Sequence, residues 1–115
     1  MATLFTKIIN GEIPGEIVYQ NEHVVAIKDI QPMAPVHVLI VTRAEIPGLS
    51  ELPDAGDHTH ILNAAKKIGE QLGLTSGYRL VINNGVDAGQ TVPHLHAHLL
   101  GGAKLGGFGE EGVEH

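Results

Sequence analysis

The sequence contains no cysteine and no tryptophan, and its aromatic residues are two Phe and two Tyr. Without cysteine the chain has no disulfide framework, no thiolate metal ligand and no cysteine nucleophile, and we expect a reducing, cytoplasmic location. Long apolar runs are also missing. The unbroken stretch at 38–41 is far shorter than the ~20 residues of a membrane-spanning helix. No basic segment followed by an apolar run begins the chain, so we expect no signal peptide and no membrane partner.

Basic residues are few, with 7 Lys and Arg against 13 Asp and Glu and a net charge of −6. The adjacent pair at 66–67 is the largest basic cluster, so duplex nucleic acid is not an expected partner. A chain of 115 residues that is 43% hydrophobic and 17% charged is typical of one folded domain. We place that domain at residues 1–102, with a Gly- and Glu-rich tail at 103–115.

Hydrophobic periodicity and turn residues predict an α+β fold. A short helix is predicted at residues 4–9 and a long one at 54–72, with Asp54 and Asp57 in its first turn and Gly73 after its end. Strands are predicted at 17–20, 24–27, 36–42, 78–83 and 92–100. They form one mostly antiparallel sheet with the long helix on one face. The uncovered face and edges favour a homodimer, joined through the helix or an edge strand.

Histidine is unusually frequent, with eight in the chain, and three of them alternate at positions 94, 96 and 98. Side chains on a strand alternate between its faces, so His94, His96 and His98 should share one face. The apolar residues between and after them would then point to the core.

Three interpretations of the histidine row are open. It could be a polar, solvated face, or a metal site completed by His37 or Asp29. It could instead support nucleophilic catalysis, since crowded imidazoles cannot all be protonated and a neutral one can attack. The remaining rings can donate hydrogen bonds to an anion such as phosphate. We favour the third interpretation for two reasons. Three histidines on one face of a strand are improbable by chance, and the sequence contains no HExxH-like helical motif that would indicate a metal site.

The segment His94-Leu95-His96-Ala97-His98-Leu99-Leu100 fits the pattern His-φ-His-φ-His-φ-φ, where φ is apolar. In this the chain resembles the histidine triad family. The resemblance extends over residues 3–102. Within that range the chain resembles the Hint branch of the superfamily in segments that include Glu12-Ile13-Pro14, Gly77-Tyr78-Arg79 and Gly89-Gln90-Thr91. It implies a Hint-like fold that continues its sheet across a homodimer.

Hint proteins are nucleotide-binding hydrolases that split purine nucleoside phosphoramidates, such as AMP linked to an amine. The resemblance implies that His96, at the middle triad position, attacks the phosphorus and forms a covalent nucleotidyl-histidine. His98 would hydrogen-bond the phosphate and the leaving group, and His94 would orient the neighbouring imidazole. The expected partner is a purine nucleotide of the AMP or GMP type. No metal or other cofactor is expected, because imidazole and amide donors can surround the phosphate.

The resemblance also implies a binding pocket around the triad. His37 would assist the triad, and Asp29 would accept hydrogen bonds from the ribose. The expected phosphate-side donors are Asn83, Gly89, Gln90 and Thr91. The expected apolar slot for the base comprises Phe5, Ile8, Ile27 and Ile30.

Two other functions remain open: a dinucleoside polyphosphate hydrolase of the same superfamily, and a regulatory dimer that binds purine nucleotides without needing turnover. The tail departs from the aromatic stretch of animal Hint proteins, since Phe108 is its one aromatic residue. The leaving group is therefore the part of the substrate that the sequence specifies least. His23, His58 and His60 are expected to be ordinary surface histidines.

Overall fold

The structure, a computed structural model, describes residues 2–107. Two α-helices, α1 (Leu4–Ile9) and α2 (His58–Gln71), accompany five strands. The strands are β1 (Ile17–Gln20), β2 (Val24–Lys28), β3 (Val36–Thr42), β4 (Tyr78–Val81) and β5 (His96–Gly101). Short 3₁₀ turns occur at Leu49–Glu51 and Val86–Ala88. The predicted α+β class and the number of strands are confirmed.

The strands form one sheet in the order β1-β2-β3-β5-β4, and every neighbouring pair is antiparallel. β3 lies at the centre, as its nearly continuous apolar sequence predicts. β1 and β4 are the edges. Because β3 and β5 are adjacent, the central strand contacts the strand that carries His96 and His98.

Each face of the sheet packs against one helix. On one face, α2 contributes Ile61, Ala64, Ala65 and Ile68 to a cluster that includes Ile40 and Leu99 of the sheet. On the opposite face, Phe5 of α1 packs with Val25, Ile27, Leu39 and Val41. We call these the α2 face and the α1 face. Leu95, Ala97 and Leu99 belong to the α2 cluster, as predicted.

The long helix begins later than predicted, at His58 rather than residue 54. Residues 54–57 form turns, and Gly56 is packed so closely that a Cβ there would lie 2.8 Å from the carbonyl oxygen of Pro53. Asp54 therefore lies before the helix, and Asp57 occupies the N-cap rather than the first turn. Gly73 follows the helix with a φ of 68°, in agreement with its predicted place.

The last strand also begins later than predicted, at His96 rather than residue 92. Before it, the His94 N–H donates to the Val92 carbonyl oxygen, and the Leu95 N–H donates to the Ile46 carbonyl oxygen. The Leu95 N–H thus bonds Ile46 rather than β3, although the Leu95 carbonyl oxygen still accepts the Thr42 N–H. The regular strand begins only at His96, so the prediction that His94 shares a strand with the other two histidines is wrong. β4 likewise ends at Val81 rather than residue 83.

Among residues 2–107, no helix combines the length and the apolar character needed to cross a membrane. Phe108 and the rest of the tail lie outside the described residues, so the predicted domain boundary stays a prediction.

Candidate active site

The register between β3 and β5 brings three histidines onto the α1 face. Leu39 pairs with His98 and Val41 pairs with His96. Directly paired residues project to the same face, so both imidazoles lie on the face of the sheet that Phe5 covers. His37 lies two residues before Leu39 and therefore projects to the same face. All three rings are at least 95% buried.

The His96 ring is oriented by a backbone carbonyl. Its Nδ1 lies 2.6 Å from the carbonyl oxygen of His94. A carbonyl oxygen only accepts hydrogen bonds, so Nδ1 carries the proton. In the neutral ring, the lone pair is then on Nε2. The local backbone thus selects the tautomer in which Nε2 carries the lone pair.

His98 is oriented by a relay that starts at the backbone of Met33. The Met33 N–H donates to Nδ1 of His37 over 3.0 Å, so the proton of neutral His37 is on Nε2. That Nε2 lies 2.9 Å from Nδ1 of His98, which must accept. The proton of neutral His98 is consequently on its Nε2. His98 therefore presents an N–H donor, whereas the same atom of His96 presents a lone pair.

Asp29 contacts this relay. Its Oδ2 lies 3.2 Å from Nε2 of His37, and its Oδ1 accepts the N–H of Gln31 over 2.9 Å. The carboxylate thus helps to orient His37 and also closes a turn of the loop after β2. The predicted contact between Asp29 and ribose stays a prediction.

The His94 ring is fully buried and has a supporting position. Its Nε2 donates to the Thr42 carbonyl oxygen over 2.6 Å, so its Nδ1 accepts the Thr3 hydroxyl over 2.6 Å. The predicted orienting role therefore belongs to the backbone of His94, while its imidazole ties α1 to the end of β3. Burial lowers the pKa of His94, and the Thr42 hydrogen bond and the Glu45 charge oppose that shift.

Phe5 packs edge-on against two of the histidines. Its ring centroid lies 4.8 Å from that of His96 and 5.8 Å from that of His94. Ile27 belongs to the same cluster, and Ile8 packs against it. Three members of the predicted apolar slot are thus brought together beside the triad. Ile30, in contrast, is 93% exposed and is not part of this cluster.

The loop after β4 contains the remaining predicted residues. The side-chain amide of Gln90 donates to the carbonyl oxygens of Pro47 and Val92, and its oxygen accepts the Gly85 N–H. The Gly89 N–H donates to Val86 within the loop. Gln90 therefore braces the loop against its neighbours.

The contacts of the loop give no role to Asn83 and Thr91. Asn83 is partly buried and Thr91 is exposed. Gln90 and Thr91 also line a cleft of about 460 Å³ together with Pro93, the residue before the triad. Contacts of Asn83, Gly89, Gln90 and Thr91 with phosphate stay predictions.

Sequence reasoning missed Thr3 and the backbone groups of Met33 and Thr42. Thr3 caps α1 by accepting the Thr6 N–H, and its own N–H donates to Glu45 over 2.7 Å. That backbone bond is the main reason why the pKa of Glu45 is lowered. A Thr just before an apolar helical segment is a detectable N-cap signal. Its contact with a residue 91 positions away is not.

The donor atoms of Asp29, His37 and His98 lie within 4.8 Å of one another, a spacing that a metal ion could exploit. Both ring nitrogens of His37 already form hydrogen bonds, Nδ1 with the Met33 N–H and Nε2 with His98 Nδ1. A metal ion on His37 would have to displace one of them. The relay, by contrast, leaves the proton of neutral His98 on its buried Nε2.

The fold and site define a class of protein: an α+β domain with two buried imidazoles on the strand next to the central one. Residues 10–105 match the HIT domain, and the chain belongs to this family. The relatives described next are similar over about nine tenths of the chain. The Escherichia coli purine nucleoside phosphoramidase is 44% identical over 107 residues, covering 90% of this chain and 90% of that protein.

Solved structures agree with this assignment. A HIT family hydrolase from Clostridium thermocellum is 49% identical, with a TM-score of 0.83, and the match covers 92% of this chain and 95% of that one. A histidine triad protein from Clostridium difficile is 41% identical, with a TM-score of 0.87 and coverage of 91% and 94%. The chain is thus a hydrolase of the HIT family.

Proposed function

We propose that this protein hydrolyses the P–N bond of purine nucleoside 5′-phosphoramidates and releases the nucleoside monophosphate. The observation that carries the proposal is the 2.6 Å contact between His96 Nδ1 and the His94 carbonyl oxygen. It fixes a nucleophilic lone pair on Nε2. The similarity to the phosphoramidase of E. coli supports the choice of substrate class.

The proposed reaction has two steps. The Nε2 lone pair of His96 attacks phosphorus, the P–N bond breaks, and the amine leaves after taking a proton from the medium. Water then attacks the phosphorus, the bond to Nε2 breaks, and the water proton passes to solvent. The products are the amine and the monophosphate, and His96 returns to its neutral form.

His98 stabilises charge in both steps. The relay through His37 holds its proton on Nε2, from which it donates to a phosphate oxygen or to the leaving nitrogen. Donors positioned in a water-poor site are the main source of rate enhancement in phosphoryl transfer. The net charge of −6 does not attract an anion, so local donors must supply the binding.

The substrate is proposed to bind with its base against Phe5, Ile8 and Ile27, and with its ribose near Asp29. Phe5 and Ile27 lie in the same buried cluster, beside the triad. Ile30 is 93% exposed and lies outside this cluster, so the proposed base contacts do not include it.

A homodimer is also proposed. Leu62 on α2, Leu72 at its end and Tyr78 on the edge strand β4 are 56%, 42% and 40% exposed. A second copy that covered this surface would extend the sheet past β4 and bury these side chains. Light scattering during size-exclusion chromatography should give twice the mass of one chain.

The substrate class is tested by comparing turnover of adenosine 5′-phosphoramidate with turnover of diadenosine polyphosphates. We expect the wild type to release AMP from the phosphoramidate and His96→Asn to lose at least about a thousandfold in kcat. His58→Asn, which replaces an exposed histidine on α2, is the matched control. Equal turnover by His96→Asn and the wild type, or a clear preference for the polyphosphates, would reject the proposal.

A further inference from the structure

Two histidines outside the active site form a close pair. His23 lies in the turn between β1 and β2, and His60 lies in the first turn of α2. Their rings stack with centroids 3.5 Å apart and planes 8° apart. The pair joins the β1–β2 turn to the start of the long helix.

Asp57 adds a carboxylate to this pair. Its Oδ1 lies 3.9 Å from Nδ1 of His23. Asp57 is the N-cap residue of α2, a position from which Asp commonly accepts a backbone N–H. Within residues 2–107, its side chain forms no such capping bond. The carboxylate is therefore not committed to the helix end and points toward the histidines.

The three residues stand on well-fixed backbone. The His23 N–H donates to the Asn21 side chain over 2.8 Å, and the His23 carbonyl oxygen accepts the Arg43 N–H over 2.9 Å. Asp57 and His60 are held at the start of a 14-residue helix. Ligands presented from ordered elements lose less conformational entropy when they bind an ion.

We propose that His23, Asp57 and His60 form a binding site for a divalent transition-metal ion of the Zn²⁺ type. One donor atom from each residue lies within 4.8 Å of the other two. Two imidazole nitrogens and one carboxylate oxygen are a ligand set that Zn²⁺ accepts, and water would complete a tetrahedral site. The His23 and Asp57 side chains are 40% and 21% exposed, so an ion can reach them from solvent.

Binding requires a small rearrangement. The nitrogen lone pairs lie in the ring planes, so two parallel rings cannot both aim at one ion. The rings must tilt, and the donors must close to bond lengths of about 2.0–2.2 Å from the ion. Partly exposed side chains can make this change by rotation about their side-chain bonds.

This site is distinct from the triad. α2 covers the face of the sheet opposite Phe5, whereas His37, His96 and His98 lie on the face with Phe5. A metal bound at His23 and His60 would link the β1–β2 turn to α2 and stabilise that connection. It would take no part in phosphoryl transfer.

The test is zinc titration of the full chain, with affinity measured by calorimetry and binding located by histidine side-chain ¹⁵N NMR. In the wild type we expect Zn²⁺ to shift the His23 and His60 resonances. His23→Asn and His60→Asn should each weaken this binding by at least about tenfold. His58→Asn, two residues away on the same helix, should bind as the wild type does.

Asp57→Asn keeps both imidazoles and should weaken binding without removing it. If one histidine variant does not fold, the other and Asp57→Asn still decide the outcome. The proposal is overturned if the wild type binds no Zn²⁺, or if all variants bind it equally. Zinc-induced shifts at His37 and His98 in place of His23 and His60 would overturn it as well.

Discussion

The Nδ1 of His96 lies 2.6 Å from the carbonyl oxygen of His94, a residue whose own imidazole points elsewhere. Two histidines of one motif thus have different tasks. The His94 ring bonds Thr3 and Thr42, while its carbonyl oxygen holds the proton of His96 on Nδ1. Orientation of the His96 ring therefore depends on how the backbone before β5 is held, and Thr3, the N-cap of α1, takes part in holding it.

Thr3→Val should test the link between α1 and His94. Valine keeps the shape of the side chain but removes the hydroxyl that donates a hydrogen bond to His94 Nδ1. It also removes the side-chain oxygen that caps α1. An unsatisfied buried acceptor costs about 1–3 kcal/mol, and a lost cap adds about 1 kcal/mol. Urea denaturation should show this loss of unfolding free energy.

Two matched variants control for this change. Thr3→Ser retains the hydroxyl and should remain close to the wild type in stability. Thr59→Val makes the same replacement at an exposed position of α2. A loss in Thr59→Val as large as that in Thr3→Val would show that the hydroxyl contact is not the cause.

His94 should make stability depend on pH. Burial lowers its pKa in the folded state below the ordinary value, so the unfolded chain binds more protons as the pH falls. The stability that neutral His94 supports is present above about pH 6.5 and is lost as the pH decreases through the lowered pKa. Unfolding free energies should be measured between about pH 7.5 and pH 5. This range lies above the ordinary pKa values of carboxyl groups, so carboxylates with ordinary pKa values stay ionised throughout it.

The control for the pH effect is His94→Asn. This variant should be less stable than the wild type at neutral pH, and its stability should depend less on pH. Parallel pH curves for the two proteins would mean that another group is responsible.

His37→Gln should test the relay. The glutamine amide can either donate to His98 Nδ1 through its NH2 group or accept from it through its oxygen, so the His98 proton is no longer confined to Nε2. We expect kcat to fall roughly 10- to 100-fold, less than the full effect of a proton-transferring group, with a smaller change in KM. Histidine ¹⁵N NMR should show His98 protonated at Nε2 in the wild type and a mixture of tautomers in the variant.

His58→Gln is the matched control for this experiment, because it makes the same replacement at an exposed site. A wild-type His98 protonated at Nδ1 would contradict the relay directly. An unchanged kcat in His37→Gln, measured together with an altered tautomer of His98, would also contradict the proposed role of the relay.

Metal removal should leave hydrolysis unchanged. The proposed chemistry uses the Nε2 lone pair of His96 and the Nε2–H of His98, and a metal on Asp29, His37 and His98 would displace the relay. Turnover should therefore persist after dialysis against EDTA. Loss of activity that added Zn²⁺ restores, in the wild type and in His23→Asn alike, would contradict the metal-free chemistry.

The sequence was sufficient to predict the sheet and most of the strand that carries His96 and His98, because both depend on short-range periodicity. The apolar run of β3 predicts a central strand, and the alternation after His96 predicts the shared face of His96 and His98. The position of His94 was not predictable in this way. It depends on the bond between the Leu95 N–H and the Ile46 carbonyl oxygen, which lies in a loop distant in sequence.

The start of α2 was misplaced for a similar reason. Acidic residues at 54 and 57 are typical of a first helical turn, but close packing around Gly56 shapes a turn there instead. The tautomers of His96 and His98 also follow from contacts that no sequence pattern reports. The His37–His98 bond, for example, joins residues 61 positions apart.

The most direct test of the central claim is the identification of the covalent intermediate. The wild type should be mixed with adenosine 5′-phosphoramidate, quenched within one turnover and digested, and the modified residue located by mass spectrometry under conditions that preserve phosphohistidine. We predict one nucleotidyl group, attached to Nε2 of His96, and no adduct in His96→Asn. An adduct on His94 or His98, or turnover that leaves the wild type unmodified at every quench time, would contradict it.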